Sequence, residues 1–258
     1  FVILALLGLS FPIYISDRCS PEKKFSRFHT FLRNILYPRT NGIIVQTENA
    51  RQIYEDKFRK ATVTVIGNPI RQIGSGVKVR ENVILSVGRL IKSKNFDRLI
   101  QLFESLNRPD WKLVIIGGDA LKQDVSANLH ELIRSRGLET RVVLAGYQSD
   151  IDGYYMKSGI FALASESEGF PNVIGEAMSA GLPVVAFDCV AGPSEMITDG
   201  LNGYLIPLND YTLFRDRLLQ LIDDRSLCER LGTQARIDIQ KFSVGEIGAR
   251  YLKTIFPG

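Results

Sequence analysis

Two glutamates stand eight positions apart in the stretch SESEGFPNVIGEAMSAGLPVVAF, residues 165–187. Glu168 falls in a turn ahead of Gly169, Phe170 and Pro171, and Glu176 falls inside the helix-like run that follows, about two turns on. Paired carboxylates suggest a glycosidase, whose two carboxyls sit roughly 5 to 9.5 Å apart. Eight helical residues rise ~12 Å, and the two side chains need not converge on one bond. The preferred reading is two separate acceptors, Glu168 for sugar hydroxyls and Glu176 for a ribose diol.

Two cations complement them. Arg89 and Lys94 lie in GRLIKSK, residues 88–94, just past Gly88 where the chain turns toward a helix. A guanidinium and an ammonium beside a helix N-terminus suit a diphosphate, although the plainer alternative is a solvated loop. Gly169 and the helix start at Pro171 offer backbone N–H groups near Asn172, Val173 and Ile174, a second anion-binding terminus. Other candidates reduce to structure. Asp150-Ile151-Asp152 has the form of a metal-binding Asp-X-Asp, but it also suits a helix cap and first turn, which leaves no metal site. His29 and His130 show no partner and are read as structural or surface residues. Cys19, Cys189 and Cys228 show neither metal-ligand spacing nor a disulfide framework.

These groups need a scaffold. From residue 82 onward, short β-branched runs alternate with amphipathic ones: NVILSVG, SKNFDRLIQLFESL, WKLVIIGG, DVSANLHELIRSRG, RVVLAG, DIDGYYMKS, GIFALAS, PNVIGEAMSAG, LPVVAFD and GYLIP. The alternation predicts a parallel sheet covered on both faces, with nearly continuous apolar strands. Ligands of such sheets bind beyond the carboxyl ends of the strands, where Arg89, Lys94 and Glu168 fall. Residues 1–66 repeat the theme in PIYIS, FSRFHTFLRNILY, GIIVQ, ENARQIYEDKF and TVTVIGN, which read as the end of a preceding α/β domain. NPIRQIGSGVKVREN reads as a linker, and the last 50 or so residues as helices. No Gly-X-Gly-X-X-Gly follows a strand, which disfavours a dinucleotide oxidoreductase.

A chain of 258 residues, 45% of them hydrophobic, suffices for two domains. It starts at Phe1, and FVILALLGLSFPIYIS reads as a buried helix through about Leu9 running into a buried strand; the expectation is a fragment lacking its own N-terminus. The apolar opening is shorter than the ~20 residues of a membrane-spanning helix and lacks the basic flank of a signal peptide. With the cysteine usage, this predicts the cytoplasm. Residues 1–80 carry 13 Lys/Arg and 5 Asp/Glu, against 19 and 23 in the remainder. Such a basic region suits nucleic acid, anionic lipid head groups or phosphate-bearing substrates, or is a solvated face.

Four ordered blocks, GRLIKSK (88–94), EGFPNVIGE (168–176), SAGLPVVAFD (179–188) and GPSEMITDGLNGYL (192–205), resemble the retaining glycosyltransferases of family 4, with looser matches in ISDRCSP and IIVQT. The resemblance is nearest to bacterial enzymes that build capsule, exopolysaccharide or lipid-linked oligosaccharides. It implies an α/β GT-B fold of two Rossmann-like domains, the first incomplete. Residues 1–80 would be the remainder of the acceptor domain plus linker, 81–240 the nucleotide-sugar domain, and 241–258 a helix returning toward the first. The implied reaction moves a hexosyl or N-acetylhexosaminyl unit from a nucleotide-sugar, a UDP-sugar by analogy, to a glycan or lipid-linked saccharide. It proceeds with retention and without metal or cofactor. Glu168 would sit by the transferred sugar, Arg89 and Lys94 at the diphosphate beside Gly88, and Glu176 at the ribose. Gly169, Phe170, Pro171 and Asn172 would hold the donor sugar, Val173 the ribose or phosphate, and Gly146 and Tyr147 would lie near the base. The implied setting is peripheral, on the inner face of the plasma membrane, with no nucleic acid partner. Alternatives on the same scaffold are a nucleotide-sugar epimerase, another GT-B enzyme, or a non-catalytic nucleotide-sugar-binding module.

Overall fold

The structure is a computed structural model and describes residues 2–6, 8, 11–21, 23–74, 79–121 and 123–256. The β-branched runs form two sheets. β1 (Tyr14–Ser16), β2 (Gly42–Val45) and β3 (Val63–Val65) pair in the order β1-β2-β3. β4 (Val83–Val87), β5 (Lys112–Ile116), β6 (Val142–Gly146), β7 (Ile160–Leu163), β8 (Val184–Asp188) and β9 (Tyr204–Pro207) pair in the order β6-β5-β4-β7-β8-β9. Every pairing is parallel. The chain winds outward from β4 to β6, then returns to lay β7 on the other side of β4. The direction of winding reverses between β4 and β7, so a crevice opens there at the carboxyl ends of the strands.

The connections are helical. α1 (Val2–Leu6) precedes β1, and α2 (Arg27–Leu36) and α3 (Glu48–Lys57) cross between the strands of the first sheet. α4 (Phe96–Ser105), α5 (Val125–Ser135), α6 (Ile151–Lys157), α7 (Asn172–Ser179) and α8 (Pro193–Met196) serve the second sheet. α9 (Tyr211–Asp223), α10 (Arg225–Asp238) and α11 (Val244–Ile255) close the chain. Short polar side chains start most of the longer helices by accepting a first-turn N–H: Ser26, Thr47, Asp124, Asp210, Asp224 and Ser243. Asp150 does the same for α6, accepting from the Gly153 N–H at 3.2 Å, and Asp152 pairs with Arg71.

Side chains of the second sheet divide by period two between two cores. Ile84, Leu113, Ile115, Val185 and Phe187 join the faces of α4, α5 and α9. Val83, Leu85, Val87, Val114 and Ile116 join those of α6 and α7. Ile44 of β2 belongs to the second core, with Ile66, Ile70, Ile73 and Phe242, so the two sheets share apolar ground. The stretch read as a linker is therefore tied down where it is described.

Several local expectations change. α1 buries no residue and ends at Leu6, while Leu7 and Leu9 lie outside the described residues. Among the described residues β1 pairs with β2 alone and is only partly buried. α4 starts at Phe96 rather than at Ser93: residues 92–94 form a 3-10 turn, and Asn95 is left-handed with φ 50°. α7 starts at Asn172, which puts Glu176 one turn inside it, not two. Among the described residues, no helix is long and apolar enough to cross a membrane.

Candidate functional site

Past β4 the chain keeps alongside β5. The Gly88 N–H donates to the Ile116 carbonyl and the Leu90 N–H to the Gly118 carbonyl, both at 2.9 Å. Gly117 makes this possible: its φ is 153°, and a Cβ there would lie 1.8 Å from the Gly88 carbonyl oxygen. Arg89 enters the crevice, and the 3-10 turn brings Lys94 back beneath Gly88, where an added Cβ would lie 3.3 Å from Lys94 Cε. Asn95 closes the turn. It is buried, and its Nδ2 donates to the Ala164 carbonyl and to Glu166 Oε1, each at 3.1 Å. The Glu166 N–H donates to the Ser93 carbonyl at 2.9 Å. These bonds stitch the loop after β4 to the loop after β7 across the reversal point.

Lys94 Nζ and Glu168 Oε1 form an ion pair across the same point, with their side chains only 12% and 11% exposed. Arg89, Lys94, Glu168, Gly169 and Phe170 all line one cleft of about 480 Å³. Its other wall belongs to the first sheet. A Cβ on Gly169 would lie 3.3 Å from the Arg18 carbonyl oxygen and 3.4 Å from the Ser20 nitrogen, so the loop after β1 closes directly over this glycine. Gln46 Nε2 donates to Asn68 Oδ1, and Asn68 Nδ2 donates to Asn172 Oδ1 at 3.0 Å. A chain of amides thus joins the end of β2 to the start of α7. Phe170 is buried edge-on against Phe242, with ring centroids 5.3 Å apart.

Glu176 has different partners. Tyr155 of α6 donates to Glu176 Oε2 at 3.0 Å, and Arg71 Nη2 lies 3.8 Å from Oε1. Burial raises the Glu176 carboxyl above its ordinary range, against the lowering effect of the Tyr155 hydrogen bond and the Arg71 charge. Burial also pushes the Tyr155 phenol well up, and the Glu176 charge adds to it. Each glutamate is thus held by its own partners, a cation for one and a phenol for the other, which is not the arrangement of two carboxyls flanking one bond.

Residues 70–238 match the family described as glycosyl transferases group 1. The chain belongs to that family. It is 32% identical over 204 residues to the amylovoran biosynthesis glycosyltransferase AmsD of Erwinia amylovora, covering 76% of this chain and 56% of AmsD. Its fold is similar to that of a TarM variant from S. aureus solved with UDP and other ligands, with a TM-score of 0.85 and 25% identity over 95% of this chain and 51% of TarM. HepE from Anabaena, solved with UDP, superposes with a TM-score of 0.89 at 23% identity over 100% of this chain and 75% of HepE. The chain spans little more than half the length of AmsD and TarM. The two parallel sheets are those of the GT-B glycosyltransferase architecture.

The remaining candidates separate into those held near the cleft and those elsewhere. Of the three N–H groups expected free at the start of α7, that of Asn172 donates to the Phe170 carbonyl and that of Ile174 to the Pro171 carbonyl, both at 2.9 Å. The tight turn at Pro171 uses them, which leaves Val173. Gly146 ends β6 with φ 67° and accepts from the Gly117 N–H at 2.9 Å, and Tyr147 beside it is 88% exposed. His29 has a partner after all, with its Nδ1 2.7 Å from Ser26 Oγ at the start of α2, while His130 is exposed on α5. Burial pushes the Cys189 and Cys228 thiols up to about 11, so both are protonated at neutral pH. Among the described residues, no group of three His, Cys, Asp or Glu could hold a metal ion.

Sequence reasoning missed the residues that position the others. Asn95 carries a weak signal, since asparagine tolerates the left-handed region better than most residues. Tyr155, Arg71 and Arg80 carry none. The Arg80 guanidinium donates to the carbonyls of Tyr155, Met156, Ser158, Ala180 and Gly181 at 2.6–3.2 Å. It caps the carboxyl ends of α6 and α7 together, the helices that carry Tyr155 and Glu176.

Proposed function

We propose that the chain forms the donor-binding part of a retaining glycosyltransferase that moves a hexosyl or N-acetylhexosaminyl unit from a UDP-sugar to a glycan or lipid-linked saccharide. The observation that carries this reading is the Lys94–Glu168 pair beside Arg89 across the β4/β7 reversal point. Arg89 and Lys94 would bind the diphosphate and stabilise it as it leaves, an interaction that strengthens as charge develops there. Glu168 balances Lys94 and accepts hydrogen bonds from the transferred sugar. In the reaction the anomeric carbon–phosphate oxygen bond breaks. The acceptor oxygen bonds to that carbon from the same face, and its proton passes to the departing phosphate. No protein nucleophile takes part, and the two cations do the work of a divalent metal. Glu176, pre-oriented by Tyr155, would receive the ribose hydroxyls, and Tyr147 would meet the base.

UDP is the favoured nucleotide because TarM was solved with it. The proposed division of the chain places the acceptor side within residues 1–80, the donor domain within 81–240, and a returning helix at 241–258. Tyr251 of α11 supports the last part, its hydroxyl lying 3.3 Å from Ser16 Oγ on β1. A cytoplasmic location with peripheral contact through the basic first region completes the reading, and vesicle co-sedimentation at varied salt tests that contact.

The test of the donor site is calorimetric titration with UDP, GDP and ADP, repeated on Arg89→Ala and Glu176→Ala. One nucleotide is expected to bind, and both substitutions to weaken it. Absence of binding by all three nucleotides, or binding untouched by either substitution, overturns the assignment.

A further inference from the structure

A second group of cations faces the first across the cleft. Arg18 and Lys23 belong to the loop after β1 and line the same cleft as Arg89 and Lys94. Among the described residues, the charged ones lining it are these four cations and one carboxylate, Glu168, a net positive balance. The diphosphate of a nucleotide-sugar carries about −2 and would leave positive charge uncompensated on the first-sheet wall.

The loop that presents Arg18 and Lys23 is held from below. Asp17, whose side chain is 8% exposed, accepts from Arg33 Nη2 at 2.6 Å, from the Tyr54 hydroxyl at 2.5 Å and from the Cys19 N–H at 3.2 Å. The Arg33 guanidinium lies over the rings of Phe25 and Tyr37, at 4.2 and 4.8 Å from their centroids. Desolvating an ion pair costs several kcal/mol, so a buried pair is a demanding way to shape a surface loop. Its effect here is to fix the loop against Gly169, at the wall opposite the diphosphate cations. Arg18 is steadied further by Ser16 Oγ, 3.4 Å from its Nε.

We propose that Arg18 and Lys23 form a second anion subsite, which takes a phosphate group carried by the acceptor. The inference rests on the donor reading of Arg89 and Lys94, and it narrows the acceptor from any glycan to a phosphate-bearing one. With the donor diphosphate on one wall and the acceptor phosphate on the other, the space between, lined by Gln46, Asn68 and Glu168, is left for the two sugars.

The test is calorimetric titration of inorganic pyrophosphate into the full chain saturated with UDP, at low salt, with Arg18→Gln/Lys23→Gln as the comparison. Pyrophosphate is expected to bind alongside UDP in the native chain. The double variant should weaken pyrophosphate tenfold or more while changing UDP affinity by less than about threefold, because a lost charge-assisted contact is worth at least that factor. Methyl phosphate in place of pyrophosphate separates the sources. Much weaker binding than pyrophosphate supports a diphosphate-linked acceptor, and comparable binding supports a phosphoester chain. Pyrophosphate that displaces UDP one for one, or that binds the double variant undiminished, overturns the subsite. If UDP fails to bind the native chain, the donor reading fails by itself. Pyrophosphate alone on the two proteins then still decides the subsite, since loss on the double variant supports it and retention refutes it.

Discussion

Removing either member of the Lys94–Glu168 pair should lower stability, but the two removals should move nucleotide affinity in opposite directions. Exposed pairs contribute about 0–1 kcal/mol, and breaking a buried one costs about 3–5 kcal/mol. With side chains 12% and 11% exposed in an open cleft, this pair falls below the buried range, so Lys94→Ala should cost about 2–3 kcal/mol by leaving a poorly solvated carboxylate unmatched. Glu168→Gln should cost less, about 1–2 kcal/mol, because the long ammonium can reach water. The double variant Lys94→Met/Glu168→Gln should regain part of the loss, and urea denaturation of all four proteins closes the cycle. UDP affinity then separates the roles. A carboxylate some 6 Å from a phosphate opposes it by about 0.7–2.8 kcal/mol for an effective dielectric between 80 and 20. Glu168→Gln should therefore tighten UDP by about 1 kcal/mol, roughly fivefold, whereas Lys94→Ala weakens it tenfold or more. The gain should shrink with added salt. If Glu168→Gln weakens UDP as much as Lys94→Ala does, Glu168 is not a charge balance facing the sugar, and the assignment of roles is wrong.

The raised Glu176 carboxyl predicts a pH signature. Its folded pKa lies above the unfolded one because burial disfavours the charge, so the associated stability is full below the unfolded value and lost as pH rises through the folded one. Glu176→Gln should accordingly raise Tm at pH 7, and the difference should fade as pH falls through the ordinary carboxylate range, as thermal unfolding at several pH values would show. The same substitution should weaken UDP about tenfold by calorimetry. Asn95→Ala loses two side-chain bonds and places an unsuitable residue at φ 50°, for a cost of about 3 kcal/mol; Asn95→Gly keeps the backbone and should cost about 1 kcal/mol less. Equal denaturation midpoints for the two would refute the left-handed contribution. Gly117→Ala would drive a Cβ into the Gly88 carbonyl, and thermal unfolding should show a loss of about 3 kcal/mol or more, with UDP binding impaired even where the chain remains folded.

What the sequence disclosed and what it hid divide along physical lines. β4, β5, β7 and β8 were legible because strands buried on both faces read as unbroken apolar runs, and β6 and β9, at the edges of the sheet, because they continue the alternation with helices; Arg89, Lys94 and Glu168 were legible because they follow β4 and β7. The opening segment differs: α1 and β1 are as apolar as the later strands, yet among the described residues α1 buries no side chain and β1 is only partly buried. Asn95 and Glu166 were invisible because their bonds join loops some 70 residues apart, with separations of 69 and 71 for the two Asn95 contacts. Arg80 was invisible for a stronger reason. Its acceptors are main-chain carbonyls, which every residue carries, so no pattern of side chains announces where five of them converge.

That blindness conceals how the supposed linker works. Arg71 reaches Asp152 and Glu176, and Arg80 holds the ends of α6 and α7. Ser179 of α7 accepts from the Ile73 N–H at 3.1 Å, and the Ile70 N–H donates to the Phe242 carbonyl at 2.7 Å. Residues 70–73 are therefore bonded to the second domain, to α7 through Ser179 and to the turn at Phe242. Gly67 sits just ahead of them, where an added Cβ would lie only 2.7 Å from Phe242 and 2.9 Å from Phe170. Phe170 lines the cleft. A side chain added at Gly67 would therefore press on the ring that forms part of the cleft wall, so this glycine ties the end of the first sheet to the shape of the cleft.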